Sequence, residues 1–324
     1  MKAILCTRYG APEELALHDL PDPTPGDGQA VVRVRAAALN FFDTLIIAGK
    51  YQTKPAFPFS PAAELAGEVE SVGPGVTAVR PGDRVVAHIG YGAAREKVAV
   101  AADRLVRLPD GLDFARAAGL IVTYGTTLHA LEERAALRPG ETLAVLGAAG
   151  GVGLAAVEIG KLMGARVIAC ASSAAKLAFA QQHGADAGVN YAEEDLKERL
   201  RRVTDGKGPD VIYDPVGGPA TEAALRAIAW GGRYLVIGFA AGAIPKLPLN
   251  LVLLKSCDVR GVFWGAWSER DPAGHRANLA AILQWCAEGK LSAHVHKVFA
   301  LDEIAPALRA LSDRQAMGKV ILRV

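Results

Sequence analysis

The stretch Leu146-Gly147-Ala148-Ala149-Gly150-Gly151-Val152-Gly153 limits what this chain can fold into more than any other. It stands between a short apolar run, Thr142 to Leu146, and a helix-like segment, Val152 to Met163. A strand that ends in a glycine turn and enters a helix at once is the opening of a βα unit. Glycines there let the backbone approach an anionic group, and the helix's first amides and dipole favour negative charge. Gly153 would allow the helix to pack closely on the strand. Taken alone, such a loop also fits a turn whose glycines serve backbone geometry only. The context favours binding, because the alternation continues: strand Arg166 to Cys170, helix Lys176 to His183, strand Val211 to Tyr213, helix Ala220 to Ala229, then strands Tyr234 to Ile237 and Val259 to Phe263. This rhythm predicts an α/β fold with a doubly wound parallel sheet of six strands, the Rossmann arrangement. Ala149, Gly150, Gly151, Val152 and Gly153 then become candidate contacts to a dinucleotide pyrophosphate.

About twenty residues beyond the glycines, a dinucleotide fold that takes NAD usually carries an acidic residue for the ribose hydroxyls. This chain has Ala171-Ser172-Ser173-Ala174-Ala175-Lys176 instead. A carboxylate would repel a 2′-phosphate, whereas hydroxyls and an ammonium receive one. The expected cofactor is therefore NADPH. The bland alternative for Lys176 is a solvated helix lysine.

The first hundred residues follow another rhythm, dense in Gly and Pro, with short β-rich runs at Ala30 to Ala38, Gly67 to Val72 and Arg84 to His88. Turn signals at Pro23-Thr24-Pro25-Gly26, Gly73-Pro74-Gly75 and Pro81-Gly82-Asp83 separate them, which predicts a small β-barrel. After Gly265 come a helix, Ala277 to Glu288, a segment His294 to Leu301 and a strand, Lys319 to Val324. These are assigned back to the barrel. The expected organisation is a discontinuous catalytic domain, 1–122 and 265–324, around a dinucleotide domain, 123–264. The length of 324 residues suits two domains.

With 36 basic residues against 34 acidic ones, the chain has no strong field for nucleic acid or an anionic membrane. The start lacks the pattern of a signal peptide, and the apolar region Val152 to Ala171 is broken by Glu158, Lys161 and Arg166. The expectation is a cytoplasmic protein with no membrane or nucleic-acid partner. Cys6, Cys170, Cys257 and Cys286 lie far apart in apolar surroundings and read as reduced thiols.

Several segments together resemble one family. They are Leu39-Asn40-Phe41-Phe42-Asp43-Thr44, Gly67-Glu68-Val69 with Val72-Gly73, Pro81-Gly82-Asp83-Arg84-Val85, the glycine loop, Tyr213-Asp214-Pro215-Val216-Gly217-Gly218 and Gly318-Lys319-Val320-Ile321-Leu322. In this order they resemble the zinc-independent quinone oxidoreductases of the medium-chain dehydrogenase/reductase superfamily, over essentially the whole chain. The resemblance implies a GroES-like catalytic domain wrapped around the Rossmann domain, an active site in the cleft between them, and a homodimer formed through the Rossmann sheet edge. It also implies roles. Thr123 would lie near the nicotinamide, and Ser172, Lys176 and Tyr191 around the adenosine 2′-phosphate. Val216, Gly238, Phe239, Val262 and Phe263 would line the cofactor's path, while Asn40 and Tyr51 would be the polar residues at the substrate end. Leu45 stands where several relatives carry a tyrosine, so no role transfers there.

Zinc-dependent relatives supply a thiolate and an imidazole where this chain has Asn40-Phe41-Phe42-Asp43 and Ala62-Ala63-Glu64. Those residues do not make the expected donor set, so no metal site is expected and alcohol oxidation is disfavoured. A ready hydride acceptor, a quinone or an α,β-unsaturated carbonyl, needs less help. Trp264 and Trp267, after the last sheet strand, form either an apolar wall for a flat substrate or packing at an interface. Two alternatives stay open beside quinone or enone reduction. One is an enoyl thioester reductase, and the other an NADPH-binding protein with a structural or RNA-binding role and little turnover.

Overall fold

The computed structural model describes all 324 residues and divides into two units, Met1–Val122 with Arg270–Val324, and Thr123–Glu269. In the first unit, β1 (Lys2–Leu5) and β2 (Ala16–Asp19) form a small antiparallel pair. The strands β3 (Gln29–Leu39), β4 (Glu64–Val72), β5 (Arg84–His88), β6 (Lys97–Ala101) and β7 (Val106–Arg107) belong to a larger sheet, with helix α1 (Phe41–Ile47) following β3. The period of β3 explains its register. Val32 and Val34 are buried while Arg33 and Arg35 face out, where they pair with Glu70 at 2.8 Å and Glu68 at 2.7 Å on β4. Exposed pairs of this kind contribute about 0–1 kcal/mol each, so burial of the valine face fixes the pairing. Helix α2 (Phe114–Leu128) leads into the second unit.

There, β8 (Thr142–Leu146), α3 (Gly151–Leu162), β9 (Arg166–Ala171), α4 (Ala174–Gln182), β10 (Ala187–Asn190), α5 (Leu196–Val203), β11 (Val211–Asp214), α6 (Pro219–Ala227), β12 (Arg233–Val236), α7 (Leu249–Lys255) and β13 (Asp258–Gly261) alternate along the chain. The six strands are all parallel, in the order β10-β9-β8-β11-β12-β13. Counted within the sheet this is 3-2-1-4-5-6, the doubly wound order expected from the sequence. Central strands carry no alternation because helices cover both faces: Leu143 to Leu146 are all fully buried. One strand of this sheet escaped the sequence reading. β10 is Ala-Gly-Val-Asn, too short and too mixed to announce itself, and only its pairing with β9 makes it a strand.

After α8 (Trp264–Arg270) and α9 (Pro272–Ala287), the chain returns with β14 (Val295–Ala300), α10 (Ile304–Ser312) and β15 (Lys319–Arg323). The strand β15 inserts between β14 and β3, so the first unit's sheet is closed by residues nearly three hundred positions from its start. All four cysteines are buried, and burial pushes the Cys170 thiol far above its ordinary value. No helix is long and apolar enough to cross a membrane.

Candidate functional site

The glycine loop has the backbone its sequence calls for. Gly147 sits at φ 62°, a conformation that favours glycine. A Cβ on Gly153 would lie 2.2 Å from the Gly147 carbonyl oxygen, so the first turn of α3 rests directly on the end of β8. The opening amides of a helix have no carbonyl of their own to bond. Here they belong to Gly151, Val152 and Gly153, with Gly150 as the N-cap and Ala149 just before it. This is a cradle for an anion, made of backbone and shaped by missing side chains. A dinucleotide pyrophosphate fits it.

Other expected cofactor residues collect at the carboxyl ends of the strands, where ligands bind in open α/β sheets. Ser172 and Ser173 follow β9, and the Ser173 hydroxyl caps α4 by accepting the Lys176 amide at 3.3 Å. Tyr191 follows β10 and donates its N–H to the Ala171 carbonyl at 3.1 Å, which sets it beside Ser172 across the strand pair. Gly238 and Phe239 follow β12, and Val262 and Phe263 follow β13. Thr123 is buried on α2, its carbonyl accepting from the Thr127 hydroxyl at 2.8 Å.

One residue of this set was quoted in the sequence without a role. Asp214, at the end of β11, accepts the N–H groups of Val216 and Gly217 on Oδ1, both at 2.8 Å. Its Oδ2 accepts the hydroxyls of Thr221 at 2.8 Å and Tyr234 at 2.6 Å. Four donors on one buried carboxylate fix the loop that carries Val216. The signal lay in Asp-Pro-Val-Gly-Gly, an acid followed by residues whose amides must turn back on it.

In the first unit, Asn40 follows β3 as the N-cap of α1 and keeps 7 % of its surface. Its Nδ2 donates to Glu64 Oε1 at 2.8 Å, and its Oδ1 accepts from Lys319 Nζ at 2.7 Å. Lys319 also bonds Glu64 Oε1 at 2.7 Å and the Leu39 carbonyl at 3.2 Å. Beside them Asp43 accepts the N–H of Asn40 at 2.7 Å and of Ala62 at 3.1 Å. Burial pushes the Asp43 carboxyl up to about 7, helped by the Glu64 charge and opposed by its two amide bonds and by Lys319. Tyr51 is partly buried and stacks on Phe42 at 5.5 Å between ring centroids. Burial, and then the charge of Asp43, push its phenol above the usual value.

Two domain families match the chain: Alcohol dehydrogenase GroES-like domain over residues 26–110 and Zinc-binding dehydrogenase over residues 151–279. The Quinone oxidoreductase-like protein 2 homolog of Nematostella vectensis is 38% identical over 325 residues, covering 99% of this chain and 88% of that one. The Quinone oxidoreductase of Pseudomonas aeruginosa is 36% identical and covers 99% of both. The chain belongs to the quinone oxidoreductase family. It is thus an NAD(P)-dependent oxidoreductase with the medium-chain dehydrogenase/reductase fold. Among solved structures, Escherichia coli quinone oxidoreductase complexed with NADPH superposes with a TM-score of 0.92 at 30% identity over the full length of both chains. An NAD-dependent alcohol dehydrogenase has the same TM-score at 33% identity, again over both full lengths.

Within this quinone oxidoreductase-like frame, the two tryptophans after the last sheet strand have defined packing partners. Trp264 is 4 % exposed, and a Cβ on Gly125 would lie 2.9 Å from its ring. It packs within the second unit against α2, where Gly125 presents no side chain. Trp267 stacks on His129 at 4.3 Å. The exposed aromatic of this stretch is Phe263.

Proposed function

We propose that this oxidoreductase uses NADPH to reduce a quinone or an α,β-unsaturated carbonyl without a metal. The observation that carries the cofactor choice is the end of β9, where Ser172, the Ser173-capped start of α4 with Lys176, and Tyr191 meet with no carboxylate among them. Each hydrogen bond to a charged phosphate there contributes about 1.5–3 kcal/mol. When bound, the reduced nicotinamide supplies a hydride. The chain's own residues orient the acceptor and stabilise its charge: the Asn40 amide donates to the acceptor carbonyl, and the Tyr51 phenol, protonated at neutral pH like any tyrosine, supplies a proton or a second hydrogen bond. Reduction of an enoyl thioester is the same chemistry on an activated enone. A screen of NADPH oxidation with quinones, enones and an acryloyl thioester separates these acceptors. Tight NADPH binding with no turnover on any of them would instead favour a structural or RNA-binding role.

The working form we propose is a cytoplasmic homodimer joined through the second unit. Strand β13 pairs only with β12, leaving its other edge open. The same unit exposes large apolar side chains, among them Trp230 at 77 %, Leu253 at 78 % and Phe263 at 59 %. An open edge with large exposed apolar groups nearby suits a two-fold interface.

A further inference from the structure

We infer that Lys319 and Glu64 are positioning residues that fix the orientation of the Asn40 amide and leave one polarised N–H for the acceptor carbonyl. The inference rests on the reading of Asn40 as the carbonyl donor and adds the residues that make it one.

An asparagine amide is nearly symmetric in shape, so its two ends are told apart only by their partners. Lys319 is solely a donor and lies 2.7 Å from Oδ1; the Glu64 carboxylate is an acceptor and lies 2.8 Å from Nδ2. Turning the amide over would set N–H against ammonium and oxygen against carboxylate at once. One orientation survives. The bonds of the pair are otherwise complete, since the lysine's three partners are Asn40, Glu64 and the Leu39 carbonyl, and Glu64 Oε2 accepts the Val122 amide at 2.6 Å. The Asn40 amide has two N–H bonds and gives one to Glu64. The second has no partner in the chain.

Electrostatics point the same way. Lys319 and Glu64 are almost wholly buried, with 4% and 0% of their side chains exposed, so their field is weakly screened. An ammonium on Oδ1 draws electrons from the amide and strengthens Nδ2–H as a donor, the cooperative effect of bonds in series. The cation acts through Asn40 on charge that develops at the acceptor oxygen. Room for its stem comes from Gly119 on α2, where a Cβ would lie 3.2 Å from the lysine Cγ.

The test is a mutant cycle on the full chain, read as the single-turnover rate of NADPH oxidation with 2-cyclohexenone. Asn40→Ala is expected to slow that rate about 10²-fold, as removal of an oxyanion donor does. Lys319→Met with Glu64→Gln removes both charges together, so no ion is stranded and the fold is preserved where Lys319→Met alone loses it. On the native background this pair should slow the rate roughly tenfold or more while NADPH affinity is kept. In the Asn40→Ala background it should cost nothing further. Equal losses in both backgrounds, or none in either, overturn the positioning role and leave Asn40 as the donor. An unchanged rate for Asn40→Ala alone overturns the reading of Asn40 itself, and the positioning role with it.

Discussion

The Tyr234 hydroxyl donates to Asp214 Oδ2 at 2.6 Å, joining the middle of β12 to the end of β11 beneath the loop that bears Val216. Asp214→Ala would strand this hydroxyl, that of Thr221 and two backbone amides. Each unsatisfied buried donor costs about 1–3 kcal/mol, so thermal unfolding should show a clearly lowered midpoint. NADPH affinity should fall as well, because the Val216 loop loses its anchor. A melting curve unchanged from wild type would show that the loop holds itself.

Lys176→Ala should weaken NADPH by about 1.5–3 kcal/mol, one to two decades in affinity, and leave NADH almost untouched. Fluorescence titration of both cofactors reads the difference. Equal weakening of the two would reassign Lys176 to the structure of α4.

For Tyr51→Phe, the acceptor decides the outcome. Hydride addition to an enone leaves an enolate that must be protonated at carbon, and a positioned phenol contributes typically about 10²–10⁴-fold. A hydroquinone anion spreads its charge over the ring and takes a proton from water. The variant should therefore slow enone reduction more than quinone reduction at unchanged NADPH affinity. Small and equal effects on both would leave Tyr51 as the partner of Phe42 in packing.

Asp43 sets a pH dependence whose sign follows from its raised value of about 7. Between about pH 4, where a free Asp titrates, and pH 7, the folded protein binds more protons than the unfolded one. Stability from this group is thus full at the acid end of that window and declines as pH rises through it. Asp43→Asn should flatten this slope in urea unfolding. It should also lower stability overall, because the Asn40 and Ala62 amides meet different carboxylate oxygens, and an asparagine would set its NH2 group against one of them. A slope identical to wild type would place the titration elsewhere.

Light scattering should give a mass near twice the 33.9 kDa of the chain. Leu253→Glu with Val259→Lys, which puts charge on α7 and on the edge strand β13, should yield the monomer with NADPH affinity retained. A monomeric wild type would remove the proposed interface.

What could be read from the sequence was local in chain and regular in period. The glycine loop, the strands around it and the missing acid after β9 lie in consecutive residues, so turn chemistry and periodicity reveal them. Strand β10 was missed because Ala-Gly-Val-Asn carries neither alternation nor a long apolar run. The packing of Trp264 was illegible for a different reason: an aromatic after a sheet strand suits a wall or a core equally, and its neighbour Gly125 lies 139 positions earlier. Lys319 was quoted within a matching segment and given no role. Its partner Asn40 is 279 residues away, and no spacing rule connects them.

That separation has a consequence for the order in which the molecule comes together. Residues Thr123–Glu269 are continuous and contain their whole sheet, so this unit has all it needs once its own residues have been made. Glu64 is different, for its carboxylate is fully buried and its countercharge arrives on β15, 255 residues later. Until then the barrel would have to hide an ion without its countercharge, a state that costs several kcal/mol. The first unit is therefore expected to complete this corner only after β15 has been made, whereas the second can complete its sheet earlier. The late arrival of β15 is the kinetic counterpart of high contact order.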